Sequence, residues 1–343
     1  MDGAAKNVNQ NPQDRLAEYF ARDMAAVNGI IRSRMSSEHA PRIPEVTAHL
    51  IEAGGKRIRP MLVLAAAHLC GYPQEDADEG ARQDHLKLAA TVEFIHTATL
   101  LHDDVVDESR QRRGRPTANL LWDNKSSVLV GDYLLARAFQ LMVEPGNLRV
   151  LDILANASAT IAEGEVLQLT AAQDLATTEE TYLKVVRGKT AALFSAATES
   201  GAVIAGADED RVRALFTYGD ALGIAFQIAD DLLDYGGASA VIGKNVGDDF
   251  RERKLTLPLI KAIAKADAEE RAFWARVIEK GDQAPGDLEQ ALAIMARHGA
   301  LEAARADALG WAGAAKAALA DLPDHPLRAT LADLADYVVA RIA

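Results

Sequence analysis

Val92-Glu-Phe-Ile-His-Thr-Ala-Thr-Leu-Leu-His-Asp-Asp-Val-Val-Asp107 decides how this chain reads, together with Ala221-Leu-Gly-Ile-Ala-Phe-Gln-Ile-Ala-Asp-Asp-Leu-Leu-Asp234. Each is a nearly all-apolar run that ends in a triplet of aspartates. Asp103, Asp104 and Asp107 close the first, and Asp230, Asp231 and Asp234 close the second. On an α-helix residues i and i+4 share a face, so Asp103 lies with Asp107 and Asp230 with Asp234. Like charges at that spacing repel by roughly 0.2–0.5 kcal/mol on an exposed helix, and by more where water is scarce. A lone pair of this kind is usually a solvated helix face. Two copies that emerge from apolar helices are not, because helices hydrophobic all round are buried ones. Something positive must compensate. The fitting candidate is Mg²⁺, which takes oxygen ligands and is shared between carboxylates and substrate phosphates.

The rest of the chain agrees with a helical protein. It has 343 residues, 49% of them hydrophobic, and a formal net charge of −13. That acidic balance argues against nucleic acid as a partner, which would want a basic face. The single cysteine, Cys70, excludes an internal disulfide framework and fits a reducing cytoplasm. No apolar stretch reaches the length of a membrane span, and the polar N-terminus lacks the apolar core of a signal peptide.

Helical spacing recurs almost everywhere, while period-2 alternation is scarce. It predicts helices near 13–36, 43–52, 58–71, 81–108, 117–143, 147–173, 178–201, 208–235, 255–264, 268–280, 287–298, 300–321 and 326–342. No low-complexity linker divides them. The expectation is a flexible tail over residues 1–12 and one all-α domain over 13–343. The alanine-rich last eighty or so residues read as packing helices.

Basic residues surround the acids in sequence. Gly54-Gly-Lys-Arg-Ile-Arg-Pro60 places Lys56, Arg57 and Arg59 at the start of a helix that proline can open. Anions are favoured there, Arg offers bidentate contacts, and Lys supplies a point charge. By itself the stretch reads as an exposed basic turn. Arg112 and Arg113 follow the first triplet, where simple charge balance is the plain alternative. Lys189-Thr190 has no preceding GxxxxG and no strand, so it is not a P-loop. Lys244 and Lys254 flank Asp248 and Asp249, and Gln227 lies one turn before Asp230. His96 lies two turns before Asp103 on the same face, where a core histidine and a ligand contact weigh about equally. His102 faces elsewhere. No GxSxG, CxxC or HExxH occurs, which leaves acids for Mg²⁺, cations for phosphate, and apolar helices.

Gly-Gly-Lys-Arg-Ile-Arg-Pro, Leu-Leu-His-Asp-Asp-Val-Val-Asp with Arg112-Arg113, Gly-Lys-Thr, Phe-Gln-Ile-Ala-Asp-Asp-Leu-Leu-Asp and Gly-Lys-Asn, in that order, resemble the trans-isoprenyl diphosphate synthase family over about residues 20–340. The resemblance implies an isoprenoid synthase fold, a bundle of about 12–13 helices round a central apolar cavity, and the two acidic sets facing each other over it. It implies a prenyltransferase that condenses isopentenyl diphosphate with an allylic diphosphate, farnesyl or geranylgeranyl. Asp103, Asp107 and Asp230 would bind Mg²⁺, three ions per active site with substrate present. Asp104, Asp231 and Asp234 would support them. Lys56, Arg59, His96 and Arg113 match the family's isopentenyl diphosphate contacts. Arg112, Lys189, Thr190, Gln227 and Lys244 match its allylic diphosphate contacts, with Arg57 and Lys254 as weaker carry-overs. A homodimer and transient membrane contact during product release are also implied.

In that family, bulky residues four or five positions before the first aspartate plug the tail pocket. Here Ala98 and Thr99 stand there, and both are small. Gly-Glu-Val-Leu-Gln-Leu at 164–169 also resembles the octaprenyl-to-decaprenyl members that make quinone side chains. A long product is therefore expected, with decaprenyl favoured over octaprenyl. The rival readings are a shorter-chain farnesyl or geranylgeranyl synthase, a helical metal phosphohydrolase, a terpene cyclase and a catalytically silent partner subunit. The phosphohydrolase would need further paired histidines, the cyclase would not need the 56–59 loop, and the silent subunit would not need both triplets intact.

Overall fold

An apolar helix needs partners on every side, and that demand organises the fold. The computed structural model describes residues 10–52, 54–72, 83–112, 114–236 and 247–342. In chain order the helices are α1 (Pro12–Tyr19), α2 (Ala21–Arg34), α3 (Arg42–Glu52), α4 (Ile58–Leu69), α5 (Asp84–Val106), α6 (Ala118–Leu121), α7 (Asn124–Val143), α8 (Leu148–Ala171), α9 (Glu179–Val186) and α10 (Ala192–Ile204). They continue with α11 (Glu209–Tyr235), α12 (Asp248–Arg251), α13 (Leu257–Lys265), α14 (Ala268–Trp274), α15 (Asp287–Arg297), α16 (Ala300–Ala318) and α17 (Pro326–Ala340). A two-stranded antiparallel hairpin, Gln111–Arg112 with Arg115–Pro116, interrupts the helices after α5. The fold class is all-α. Among the described residues no helix is long and apolar enough to cross a membrane.

The chain forms two compact units. The first comprises Met1–Ser158, Leu193–Phe216 and Asp321–Thr330. Its centre is α5, buried along most of its length and packed by α2, α4 and α7. α4 is buried from Pro60 to Ala67. Its alanines admit α10 so closely that a Cβ on Gly201 would stand 2.4 Å from the Val63 carbonyl oxygen.

The second unit comprises Ala159–Ala192, Thr217–Ala320 and Leu331–Ala343. Tyr235, Phe250, Trp274, Val277, Ile278 and Met295 form one of its core clusters. α16 buries Ala300, Ala304, Ala308, Ala312 and Ala315, a stripe at helical spacing that lets α13 pack close.

The structure divides several of the expected helices. Residues 13–36 break at Phe20, whose ring is fully buried with its backbone off the helical geometry. Residues 117–143 break before Asn124, where Asp123 caps α7 through the Ser126 amide. Residues 178–201 and 268–280 contain π turns, Arg187–Ala191 and Ala275–Glu279. The first of these carries Gly188 against Gly164 of α8, where an added Cβ on Gly164 would lie 2.9 Å from the Gly188 Cα. Of the expected tail, residues 1–9 lie outside the described residues, and Pro12 already begins α1 behind an Asn11 cap.

Candidate active site

In the first unit α5 delivers its triplet at its C-terminal end. Asp103 and Asp107 are half-buried, whereas Asp104 is 0% exposed. Oδ1 of Asp104 accepts from Nε of Arg112 at 3.0 Å and from Nη2 at 2.8 Å. Such a fork onto a carboxylate fixes both groups. The Asp104 carbonyl accepts from the Ser109 amide and from Nδ2 of Asn119. Glu108, at φ 50, turns the chain into the hairpin that carries Arg112. The middle aspartate thus anchors the arginine, and the outer two present oxygen donors on one face. That all-carboxylate set suits a hard cation. Asp104 Oδ2 is buried without a hydrogen-bond donor, a group that nearby positive charge would relieve.

The basic stretch opens α4. Arg57 takes the left-handed conformation at the helix start and ion-pairs with Glu93, a buried acid of α5. Arg59 donates from Nη1 to Nε2 of His96 at 3.2 Å, and its guanidinium lies 4.7 Å over the Phe194 ring. Lys56 is exposed, and its carbonyl accepts from Nε2 of Gln13. Gly54, Arg57, Glu93, His96, Thr97 and Arg112 line a partly open cleft whose wall also includes Leu100. Three cationic or imidazole groups therefore share one cavity with an apolar side, which suits an anion carrying an apolar body. His102 faces away from it, with Nε2 3.2 Å from the Val128 carbonyl oxygen and 3.3 Å from Asp132.

In the second unit α11 carries the other triplet. Asp230 is half-buried, and Asp231 and Asp234 are buried. Asp231 accepts from the Tyr182 hydroxyl at 2.5 Å and from Nε2 of Gln227 at 2.8 Å. Gln227 Oε1 in turn accepts from the Thr190 hydroxyl at 2.8 Å. Burial pushes the Asp231 carboxyl up to about 7, against the hydrogen bonds from Tyr182 and Gln227 and with help from the charges of Asp230 and Asp234. Burial, then the Asp231 charge, drives the Tyr182 phenol far above its usual range, so it stays a donor.

Asp234 has a different task. It accepts from the backbone amides of Asp248 and Asp249, capping α12, while its carbonyl accepts from Gly247. Lys189, in the π turn, donates to Glu165 at 2.9 Å. Lys254 lies 2.7 Å from Glu252. π turns recur at functional sites because they re-aim side chains. Here one aims Lys189 and Thr190 at Glu165 and Gln227.

Arg113 and Lys244 lie outside the described residues. Ala98 is buried in α5, and Thr99 is half-buried with its hydroxyl on the His96 carbonyl. The sequence reading missed Glu93, Glu165 and Tyr182. Glu93 had a signal, an acid inside an apolar run that must find a partner. Tyr182 had none, because it is 49 residues from the aspartate it serves.

Comparison with known proteins bears on both units. The family model described as polyprenyl synthetase matches residues 40–295. The octaprenyl diphosphate synthase of Escherichia coli K12 is 45% identical over 328 residues, covering 96% of this chain and 98% of that one. The crystal structure of a decaprenyl diphosphate synthase from Rhodobacter capsulatus superposes with a TM-score of 0.92 at 75% identity, covering 97% of this chain and 100% of that one. A polyprenyl synthase from Caulobacter crescentus, solved with calcium and isoprenyl diphosphate, gives a TM-score of 0.89 at 51% identity over 96% of this chain and 98% of that one.

Proposed function

The chain belongs to the polyprenyl synthetase family, and we propose that it adds isopentenyl diphosphate head-to-tail to a farnesyl or geranylgeranyl diphosphate, repeatedly, to an octaprenyl-to-decaprenyl product for quinone side chains. It is a prenyltransferase that makes trans-polyprenyl diphosphates. The 75% identity to a decaprenyl diphosphate synthase favours the decaprenyl product.

The observation that carries the mechanism is the division of labour inside the triplets. Asp104 and Asp231 are buried and held by other side chains, while Asp103, Asp107 and Asp230 are half-buried. We assign these last three to Mg²⁺, with three ions per active site when substrate is bound. Mg²⁺ supplies charge neutralisation as the allylic diphosphate departs. Arg112, Lys189, Thr190, Gln227 and Lys244 hold that diphosphate, and preset cations of this kind stabilise the charge that develops on it. Lys56, Arg59, His96 and Arg113 hold isopentenyl diphosphate. Arg57 and Lys254 set the edges of these sites. The apolar walls exclude water from the allylic cation. The alkene attacks C1 of the allylic group, and the proton that then leaves passes to the released diphosphate, which dispenses with a protein base.

The exposed apolar residues Leu129, Phe139 and Val143 of α7 would pair two copies as a homodimer. We place the enzyme in the cytoplasm, with transient membrane contact as the product leaves. Incorporation of radiolabelled isopentenyl diphosphate, with chromatographic sizing of the products, tests the proposal. Octaprenyl or decaprenyl product that requires Mg²⁺ and is lost in Asp103→Asn and Asp230→Asn supports it. Inorganic phosphate release without chain growth refutes it.

A further inference from the structure

Asp23 on α2, His68 on α4 and His85 on α5 each offer one ligand atom, and these atoms all lie within 4.8 Å of one another. Among the described residues no other group of three or more His, Cys, Asp or Glu meets that limit. The aspartate triplets do not, which fits acids that hold metal only together with a diphosphate. None of these three residues belongs to the site above.

Two imidazole nitrogens here lack hydrogen-bond partners. His85 is 4% exposed, and its Nδ1 is buried and unsatisfied. Nε2 of His68 is likewise buried and unsatisfied, with Asp23 Oδ2 3.5 Å away. Orphaned buried nitrogens cost about 1–3 kcal/mol each, and the two imidazoles and the carboxylate stand close enough to share one partner. Aromatic rings flank the two imidazoles, while Asp23 and His68 stay half-exposed. Tyr72 packs 4.8 Å from the His85 ring and Phe20 5.1 Å from the His68 ring.

We propose that Asp23, His68 and His85 form a Zn²⁺ site with a water in the fourth position, and that the ion ties α2, α4 and α5 together. Two imidazoles and a carboxylate are a borderline-soft set that Mg²⁺ does not favour and Zn²⁺ does. In a tetrahedral site with bonds of about 2.0–2.1 Å the donors stand about 3.3 Å apart. The Asp23–His68 pair, at 3.5 Å, is already near that spacing, and every pair lies within 4.8 Å. Burial holds His85 neutral, its ligating form, down to a pKa of about 4. Burial also lowers His68, with Asp23 opposing and His325 assisting. The consequence is local: α4 and α5 carry Arg59, His96 and Asp103, so the ion stiffens the frame of the diphosphate sites without touching substrate.

The test uses the full chain, stripped with chelator and titrated with Zn²⁺ in excess Mg²⁺. Calorimetry and metal analysis give the stoichiometry, and Co²⁺ substitution gives a spectrum that reports tetrahedral nitrogen ligation. One Zn²⁺ per chain is expected in the wild type and in Asp103→Asn/Asp230→Asn, with a raised melting temperature in both. Binding should weaken at least about tenfold in Asp23→Asn and in His68→Gln, both half-exposed positions whose folding circular dichroism verifies. No bound Zn²⁺ in the wild type overturns the proposal. So does binding that disappears with Asp103 and Asp230 but survives at Asp23 and His68.

Discussion

Tyr182→Phe removes one oxygen from the second unit and leaves the ring in place. That oxygen is the 2.5 Å donor to Asp231, whose other contact is Gln227, itself held by Thr190. A hydrogen bond to a charged group contributes about 1.5–3 kcal/mol. Asp231 already sits near 7 because burial opposes its charge, and the Tyr182 bond is the largest influence holding it down. Losing that bond moves the pH at which Asp231 gives up its proton roughly one to two pH units higher. A protonated Asp231 can no longer accept from Gln227 as a carboxylate, and it weakens the negative field beside Asp230. If that energy is realised in the transition state, kcat/KM for the allylic diphosphate falls roughly 10- to 100-fold at neutral pH. The assay is radiolabelled isopentenyl incorporation across the neutral and alkaline range. The expected result is an acidic limb displaced upward, with activity partly recovered at high pH. Activity within about twofold of wild type at every pH, with the limb unmoved, would refute the reasoning.

Three further outcomes are expected. Ala98→Tyr, at a buried position of α5, should shorten the product made from farnesyl diphosphate, and an unchanged product chromatogram would reject the open-pocket reading. Gly164→Ala would place a Cβ 2.7 Å from the Lys189 amide nitrogen, where the backbone cannot rotate aside. It should cost about 1–3 kcal/mol in urea unfolding and raise KM for the allylic substrate by displacing Lys189. Acid should weaken the metal-free protein through His85. Burial, then the His68 charge, lowers its folded pKa from 6.5 to about 4, so between those values the unfolded chain binds a proton that the folded one refuses. Its stabilising contribution is complete above pH 6.5 and falls away as pH drops toward 4, by up to about 3 kcal/mol. Urea unfolding at both ends of that window should show a smaller loss in His85→Gln.

The helical class, the two triplets and the basic stretch before α4 are legible in the sequence because they are local. Apolar periodicity and motif spacing act within a few turns of one helix. The all-apolar lead into Asp103 already implies a buried α5, and the structure buries it. Breaks in helices were less legible. The split at Phe20 and the π turn at Arg187–Ala191 accompany tight packing of Phe20 and of Gly188 against Gly164, which no window of neighbouring residues contains.

The sequence alone determined that two sets of carboxylates stand at the ends of apolar helices, with cations close by in the chain. Tertiary structure decided what each acid does. Asp104 and Asp103 are adjacent, yet one is sealed against Arg112 and the other is half-open. Asp231 is held by a tyrosine 49 residues away, and Asp234 caps a helix 14 residues further on. Spacing fixes which side chains share a helix face, because successive residues turn by about 100°. Which face is buried, and what meets it there, depends on partners that only folding brings near.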